Sequence, residues 1–118
     1  MITHSELVAK LVKSGEQIVS NLTPAEADLW HAVTGISGEA GELLDAVKKH
    51  VIYNRPLDLE NVIEELGDLE FYMEQLRQRL SIMRELTIKH NIKKLSKRYA
   101  ELKYSNEQAT ARADKVVA

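Results

Sequence analysis

The sequence predicts an all-α protein: an antiparallel four-helix bundle that associates with further copies of itself. Only two prolines and five glycines interrupt 118 residues, so long stretches carry no breaker. Within those stretches apolar residues recur at three- and four-residue spacing, the period of a helix with one buried face. The chain has only six aromatic residues, so its core must be aliphatic, and an oligomer interface would help so short a chain to bury it.

A first helix is expected over residues 5–20, with Leu7, Val8, Leu11, Val12, Ile18 and Val19 as its stripe. Thr23-Pro24-Ala25-Glu26 reads as the start of a second: Thr23 caps, Pro24 suits the first helical position, and Glu26 completes a capping box. That helix should run to Val51 on Leu29, Ala32, Val33, Ile36, Ala40, Leu43, Leu44 and Val47, with Trp30 in a core or an interface. Gly35, Gly38 and Gly41 lie inside it, each at a cost of about 1 kcal/mol relative to Ala. Three such costs in succession point to close approach by another backbone or a ligand. Residues 53–57 form a turn, and Asp58 caps a third helix carrying Val62, Ile63, Leu66, Leu69, Met73, Leu76 and Leu80. A fourth begins near Ser81, with Thr87 as a competing cap, and presents Ile88, Ile92, Leu95 and Tyr99. These helices form one domain, residues 1–104. Residues 105–118 are a polar tail that frays or contacts a partner.

Composition excludes several classes. Eighteen acids against sixteen bases give a net charge of −2, a poor basis for a non-specific nucleic-acid coat. The absence of cysteine removes disulfides, thiol catalysis and thiolate metal sites. No apolar run is long enough to span a membrane, and the N-terminus lacks a signal-peptide core, so the expected location is the cytoplasm. Charge is nevertheless segregated: residues 26–74 hold twelve acids and three bases, residues 81–104 seven bases and two acids. Electrostatic packing of helices gives that pattern, and so does a site for metal and polyphosphate.

Glu39 and Glu42 stand three apart on the second helix, and Glu65 and Asp68 repeat the spacing on the third, so each pair shares a face. The 22 residues between Glu42 and Glu65 contain one turn, which lets the helices fold back antiparallel. At about 1.5 Å rise per residue the pairs then stand nearly level. Four converging carboxylates repel unless cations neutralise them, and oxygen-only ligands select hard ions such as Mg²⁺ or Mn²⁺. Glu64 adds a neighbouring carboxylate for a further ion or a water. A lone Glu-x-x-Glu is usually solvated surface. These acids instead sit among glycines and core positions, as in Gly38-Glu39-Ala40-Gly41-Glu42-Leu43 and Glu65-Leu66-Gly67-Asp68-Leu69. No Glu-x-x-His segment suggests di-iron, and the four histidines are too scattered for zinc. On the fourth helix Asn91, Lys94 and Arg98 share one face, a set suited to polyphosphate, although a solvated face or a nucleic-acid contact has the same look.

Taken in order, His31-x3-Gly35-x2-Gly38-Glu39-x-Gly41-Glu42, then Glu64-Glu65-Leu66-Gly67-Asp68, then Asn91-x2-Lys94-Leu95-x2-Arg98-Tyr99 resembles the MazG-like nucleotide pyrophosphohydrolases. That group lies in the all-α NTP pyrophosphatase superfamily, with the dimeric dUTPases and the dCTP pyrophosphatases. The resemblance covers about residues 24–104 and implies that Glu39, Glu42, Glu65 and Asp68 ligate Mg²⁺ (or Mn²⁺, two or more ions per site), with Glu64 auxiliary. It implies that Lys94 and Arg98 hold phosphates, supported by Asn91 and Tyr99, with Tyr72 also on phosphate. His31 lies toward the nucleoside, or else serves as a helix-packing histidine.

The implied reaction converts a nucleoside triphosphate and water to the monophosphate and pyrophosphate, by attack on the α-phosphorus, in a homodimer or homotetramer. Members of the dCTP type sandwich cytosine with aromatic residues before and just after the first glutamate pair. Residues 14–23 and 47–50 contain none, which favours a purine deoxynucleotide, dGTP or dATP. Short single units of this kind occur in phages, where they adjust deoxynucleotide pools and where one branch converts dGTP to dGMP; such a protein would work in the host cytoplasm. The competing expectations are a nucleotide sensor that does not hydrolyse and a nucleic-acid-binding module built on the basic helix.

Overall fold

The computed structural model describes residues 1–115, all helix and connecting turn, with no strand among them. Six α-helices run in order: α1 His4–Leu11, α2 Gly15–Ser20, α3 Pro24–Val51, α4 Leu59–Leu80, α5 Arg84–Arg98 and α6 Asn106–Ala111, followed by a 3₁₀ turn, Ala113–Lys115. The all-α class is as expected. The chain divides into two compact units, residues 1–76 and residues from Arg77 onward.

In the first unit, the single helix expected over 5–20 is two. Thr3 and Ser14 each form a reciprocal capping box, with Glu6 and Gln17 respectively. The second box restarts the helix at Gly15 after Val12 turns extended (φ −65°, ψ 132°). α3 has the expected bounds, and the Thr23 hydroxyl accepts the Glu26 N–H at 3.2 Å. Its C-terminal turn is tied by His50, whose Nδ1–H donates to the Arg55 carbonyl at 2.7 Å, while Asn54 takes a left-handed φ of 55° that asparagine tolerates. Asp58 caps α4 as expected, accepting from Asn61 N–H at 3.1 Å.

Ala32 and Ala46 are the buried hydrophobic residues among those described. Trp30, at 70% exposed, is not core; it lines an apolar cleft of about 510 Å³ with Ile18, Leu22, Leu29 and Val33.

In the second unit, α4 closes with Ser81 in the left-handed region (φ 55°). Ile82 N–H bonds back to Arg77 O and Ser81 N–H to Gln78 O, the pattern of a Schellman motif. Ser81 therefore ends α4 and does not cap α5, whose N-cap is Met83; Thr87 lies inside α5. Residues 105–115 are structured, not frayed: Ser105 caps α6, and both α6 and the 3₁₀ turn pack on α5. Residues 116–118 of the expected tail lie outside the described residues.

Candidate functional site

α3 and α4 approach closely where Gly35 admits Tyr72. Gly35 lies directly under the Tyr72 ring, so that a Cβ at residue 35 would overlap it. Tyr72 packs edge-on against His31, with ring centroids 5.8 Å apart, and against Phe71 at 5.2 Å. Gln75 Nε2 lies 3.3 Å from His31 Nδ1. His31, for which the family resemblance implies a nucleoside-side place and helix packing was the other expectation, and Tyr72, for which it implies a phosphate contact, thus form one packed group. The close approach expected at three glycines occurs at Gly35, and its agent is a tyrosine ring, not a backbone. A Cβ at Gly38, Gly41 or Gly67 would meet nothing within 4 Å.

The same two helices carry the carboxylates. Among the described residues, Glu39, Glu65 and Asp68 each offer an oxygen, and the three oxygens lie within 4.8 Å of one another. Glu42 stands outside this close group, but its charge still acts on Glu65. Glu64 is exposed and outside the group. The Glu65 carboxyl is pushed up from 4.5 to about 7, first by its hydrogen bond with Glu39, then by desolvation, then by the charges of Glu39, Asp68 and Glu42. Its Oε2 is buried without a hydrogen-bond partner. A buried acceptor without a hydrogen-bond partner amid crowded anions is a place a cation would be favoured, and an all-carboxylate donor set suits a hard divalent ion. The residues present fit such an ion.

The sign of the pH dependence follows. A carboxyl whose pKa is higher in the fold than in the unfolded chain contributes stability that is fully present below the unfolded value, about 4.5, and is lost as pH rises through about 7. Thermal melts in EDTA should therefore show a loss of stability over that window, and Glu65→Gln should flatten this component. Parallel pH profiles for the two proteins would refute it.

The cationic residues belong to the second unit. Asn91 and Lys94 line a cleft of about 520 Å³ on α5, together with His90, Lys93, Lys97 and Lys115. Tyr99 lies with Asn91 on a second cleft, of about 330 Å³, and its ring is 5.6 Å from that of Tyr104. Arg98 is engaged within the chain: Nε and Nη2 donate to the two carboxylate oxygens of Asp114 at 2.8 and 3.3 Å. This bond raises the Arg98 pKa further and holds the Asp114 carboxyl below its ordinary range. Asp114 is the site residue that sequence reasoning missed. It lies sixteen residues from its partner in a segment without apolar periodicity, so no local pattern announces it.

No helix among the described residues is long and apolar enough to cross a membrane. No curated protein and no solved structure matches the chain. The family model of the MazG nucleotide pyrophosphohydrolase domain matches residues 31–102, more than half of the chain and the stretch that holds both the carboxylates and the α5 cations; the chain belongs to that family.

Proposed function

We propose that this protein hydrolyses a nucleoside triphosphate, by preference a purine deoxynucleotide such as dGTP or dATP, to the monophosphate and pyrophosphate with the help of Mg²⁺ or Mn²⁺. The observation that carries this reading is the Glu39–Glu65–Asp68 group with the unpartnered Glu65 Oε2, inside the matched family domain. Glu39, Glu65 and Asp68 would hold the metal, with Glu42 completing a second ligand position and Glu64 auxiliary. A divalent ion bound there supplies Lewis acidity toward the phosphoryl oxygens and a water of lowered pKa. A carboxylate among Glu39, Glu42 and Glu64 takes the proton of the attacking water. By the family resemblance Lys94 and Asn91 would bind phosphates, and Tyr72, packed on Gly35 and His31, would also contact phosphate. The purine preference is supported by the lack of aromatic residues at 14–23 and 47–50, where members acting on dCTP clamp cytosine. Hydrolysis in ¹⁸O-labelled water tests the reaction: label in the monophosphate supports attack at the α-phosphorus, and label in the pyrophosphate contradicts it.

The same reading includes a homodimer or homotetramer. Its support is the exposure of Leu44 (70%), Ile63 (61%) and Phe71 (66%) on α3 and α4, large apolar side chains that association would cover. Sedimentation equilibrium giving a monomer mass at micromolar concentration would contradict it.

A further inference from the structure

The turn that follows α5 is unfavourable in two respects. Leu102 takes a left-handed φ of 57°, which strains a bulky L residue, and its apolar side chain stands 79% exposed. Its N–H bonds back to the Tyr99 carbonyl at 2.8 Å and closes the turn. Tyr104 is thereby returned to Tyr99, with ring centroids 5.6 Å apart and planes inclined at 43°. The Tyr104 hydroxyl donates to the Asn106 side-chain oxygen at 2.7 Å, yet the residue stays 71% exposed. A ring fixed by its hydroxyl and still open to solvent is preorganised for stacking. Both tyrosines wall a cleft of about 330 Å³, whose apolar lining comes from Ile92, Leu95 and Leu102. Its polar groups are the Asn91 amide, the Ser96 hydroxyl and the Lys103 ammonium. That volume lies at the lower end of small-ligand pockets, about 300–1,000 Å³. It is less than one turn of a partner helix about 10 Å across and 5.4 Å long would fill.

We infer that this cleft stacks a nucleobase, and that Tyr99 and Tyr104 carry the base selection of the protein. Aromatic side chains stack any planar base, and a bicyclic purine offers them more surface than a pyrimidine. Asn91 and Ser96 supply donors and acceptors for a base edge, groups that a purely apolar ligand would leave unanswered. Tyr99 lines this cleft and not the cationic one, whereas Asn91 lines both, so a base held here stands beside the residues proposed for phosphate. The other aromatic residues are engaged differently. Tyr72 packs on Gly35, His31 and Phe71, Tyr53 lies under Lys48, and Trp30 lines the apolar cleft with Ile18 and Leu22. That the nucleotide bound is also the one hydrolysed rests on the pyrophosphohydrolase reading; the ring cleft does not.

The test is calorimetric titration of the full chain, in EDTA, with dGTP, dCTP and inorganic triphosphate, which has no base. Wild type should bind dGTP most tightly and inorganic triphosphate least. Tyr104→Ala should weaken dGTP about 5- to 150-fold, the worth of one base–aromatic stack, and leave inorganic triphosphate unchanged. A merely structural role would move both ligands together. Tyr104→Phe keeps the ring and should bind both as wild type does. Tyr53→Ala, at a tyrosine outside the cleft, should alter neither. In Mg²⁺, Tyr104→Ala should raise KM for dGTP and leave kcat in place, the signature of lost ground-state binding.

Three results would each overturn the inference: wild type binding dGTP no better than dCTP or inorganic triphosphate, an unaffected Tyr104→Ala, or equal loss of dGTP and triphosphate in that variant. Tighter binding of an oligodeoxyadenylate than of dATP at equal base concentration would also overturn it, in favour of a single-strand surface. The expected binding pattern without turnover in Mg²⁺ would leave the ring cleft standing and remove the catalytic reading. Turnover with Tyr104→Ala indistinguishable from wild type would do the reverse.

Discussion

Glu65→Gln is expected to lower metal-dependent pyrophosphate release by at least about 10²-fold, the scale of losing one preorganised electrostatic contact at a reacting phosphoryl group. The same substitution should make the metal-free protein more stable at pH 8. Both effects have one cause. Glu65 is held within 4.8 Å of Glu39 and Asp68, with Oε2 buried and unpartnered, so its ionised form is disfavoured until a cation arrives. Glutamine keeps the volume, removes the charge and gives the Glu39 carboxylate an N–H to accept from. Activity and stability therefore move in opposite directions, which distinguishes a ligand from a structural residue whose loss lowers both. Melting in EDTA and steady-state release of pyrophosphate, measured on the same preparation, check it. A variant that loses activity and stability together would place Glu65 in the scaffold.

Gly35→Ala carries the largest stability change expected away from the carboxylates. Replacing a helical glycine with alanine ordinarily gains about 1 kcal/mol. At residue 35 the added methyl would occupy space held by the Tyr72 ring, and overpacking of this kind costs about 1–3 kcal/mol. The steric term wins, because Tyr72 is itself pinned against His31 and Phe71 and cannot swing clear cheaply. Gly67→Ala is the control: nothing lies within 4 Å of its added Cβ, so it should gain about 0.5–1 kcal/mol from the helix term alone. Denaturant melts of the two variants should shift to opposite sides of wild type. A shift of Gly35→Ala to higher stability would mean that Tyr72 yields freely.

How much of this was legible in the sequence depends on the range of the interaction concerned. α3 could be bounded because its start is written in consecutive residues, Thr23 and Pro24, and its end precedes a turn built on Asn54. The approach of Glu39 to Glu65 and Asp68 followed from spacing alone, since an antiparallel hairpin with one turn leaves few registers. The break between α1 and α2 was also written locally, as Ser14 and Gln17, but the apolar stripe running through residues 7–19 masks it. Ser81 reads as a start because serine favours N-caps; its left-handed φ is decided by how α4 ends. The least legible features are those in which a side chain from elsewhere in the chain takes a role: Tyr72 filling the space above Gly35, and Asp114 claiming Arg98. Neither pairing leaves a periodic trace.

The most direct test of the central claim is release of pyrophosphate from a panel of canonical nucleoside and deoxynucleoside triphosphates, with Mg²⁺, Mn²⁺ or EDTA, beside Glu39→Ala. Equimolar monophosphate and pyrophosphate are expected, greatest with dGTP or dATP, abolished by EDTA and lost in the variant. Orthophosphate with a nucleoside diphosphate as products, or no turnover by folded protein in any metal, would contradict it.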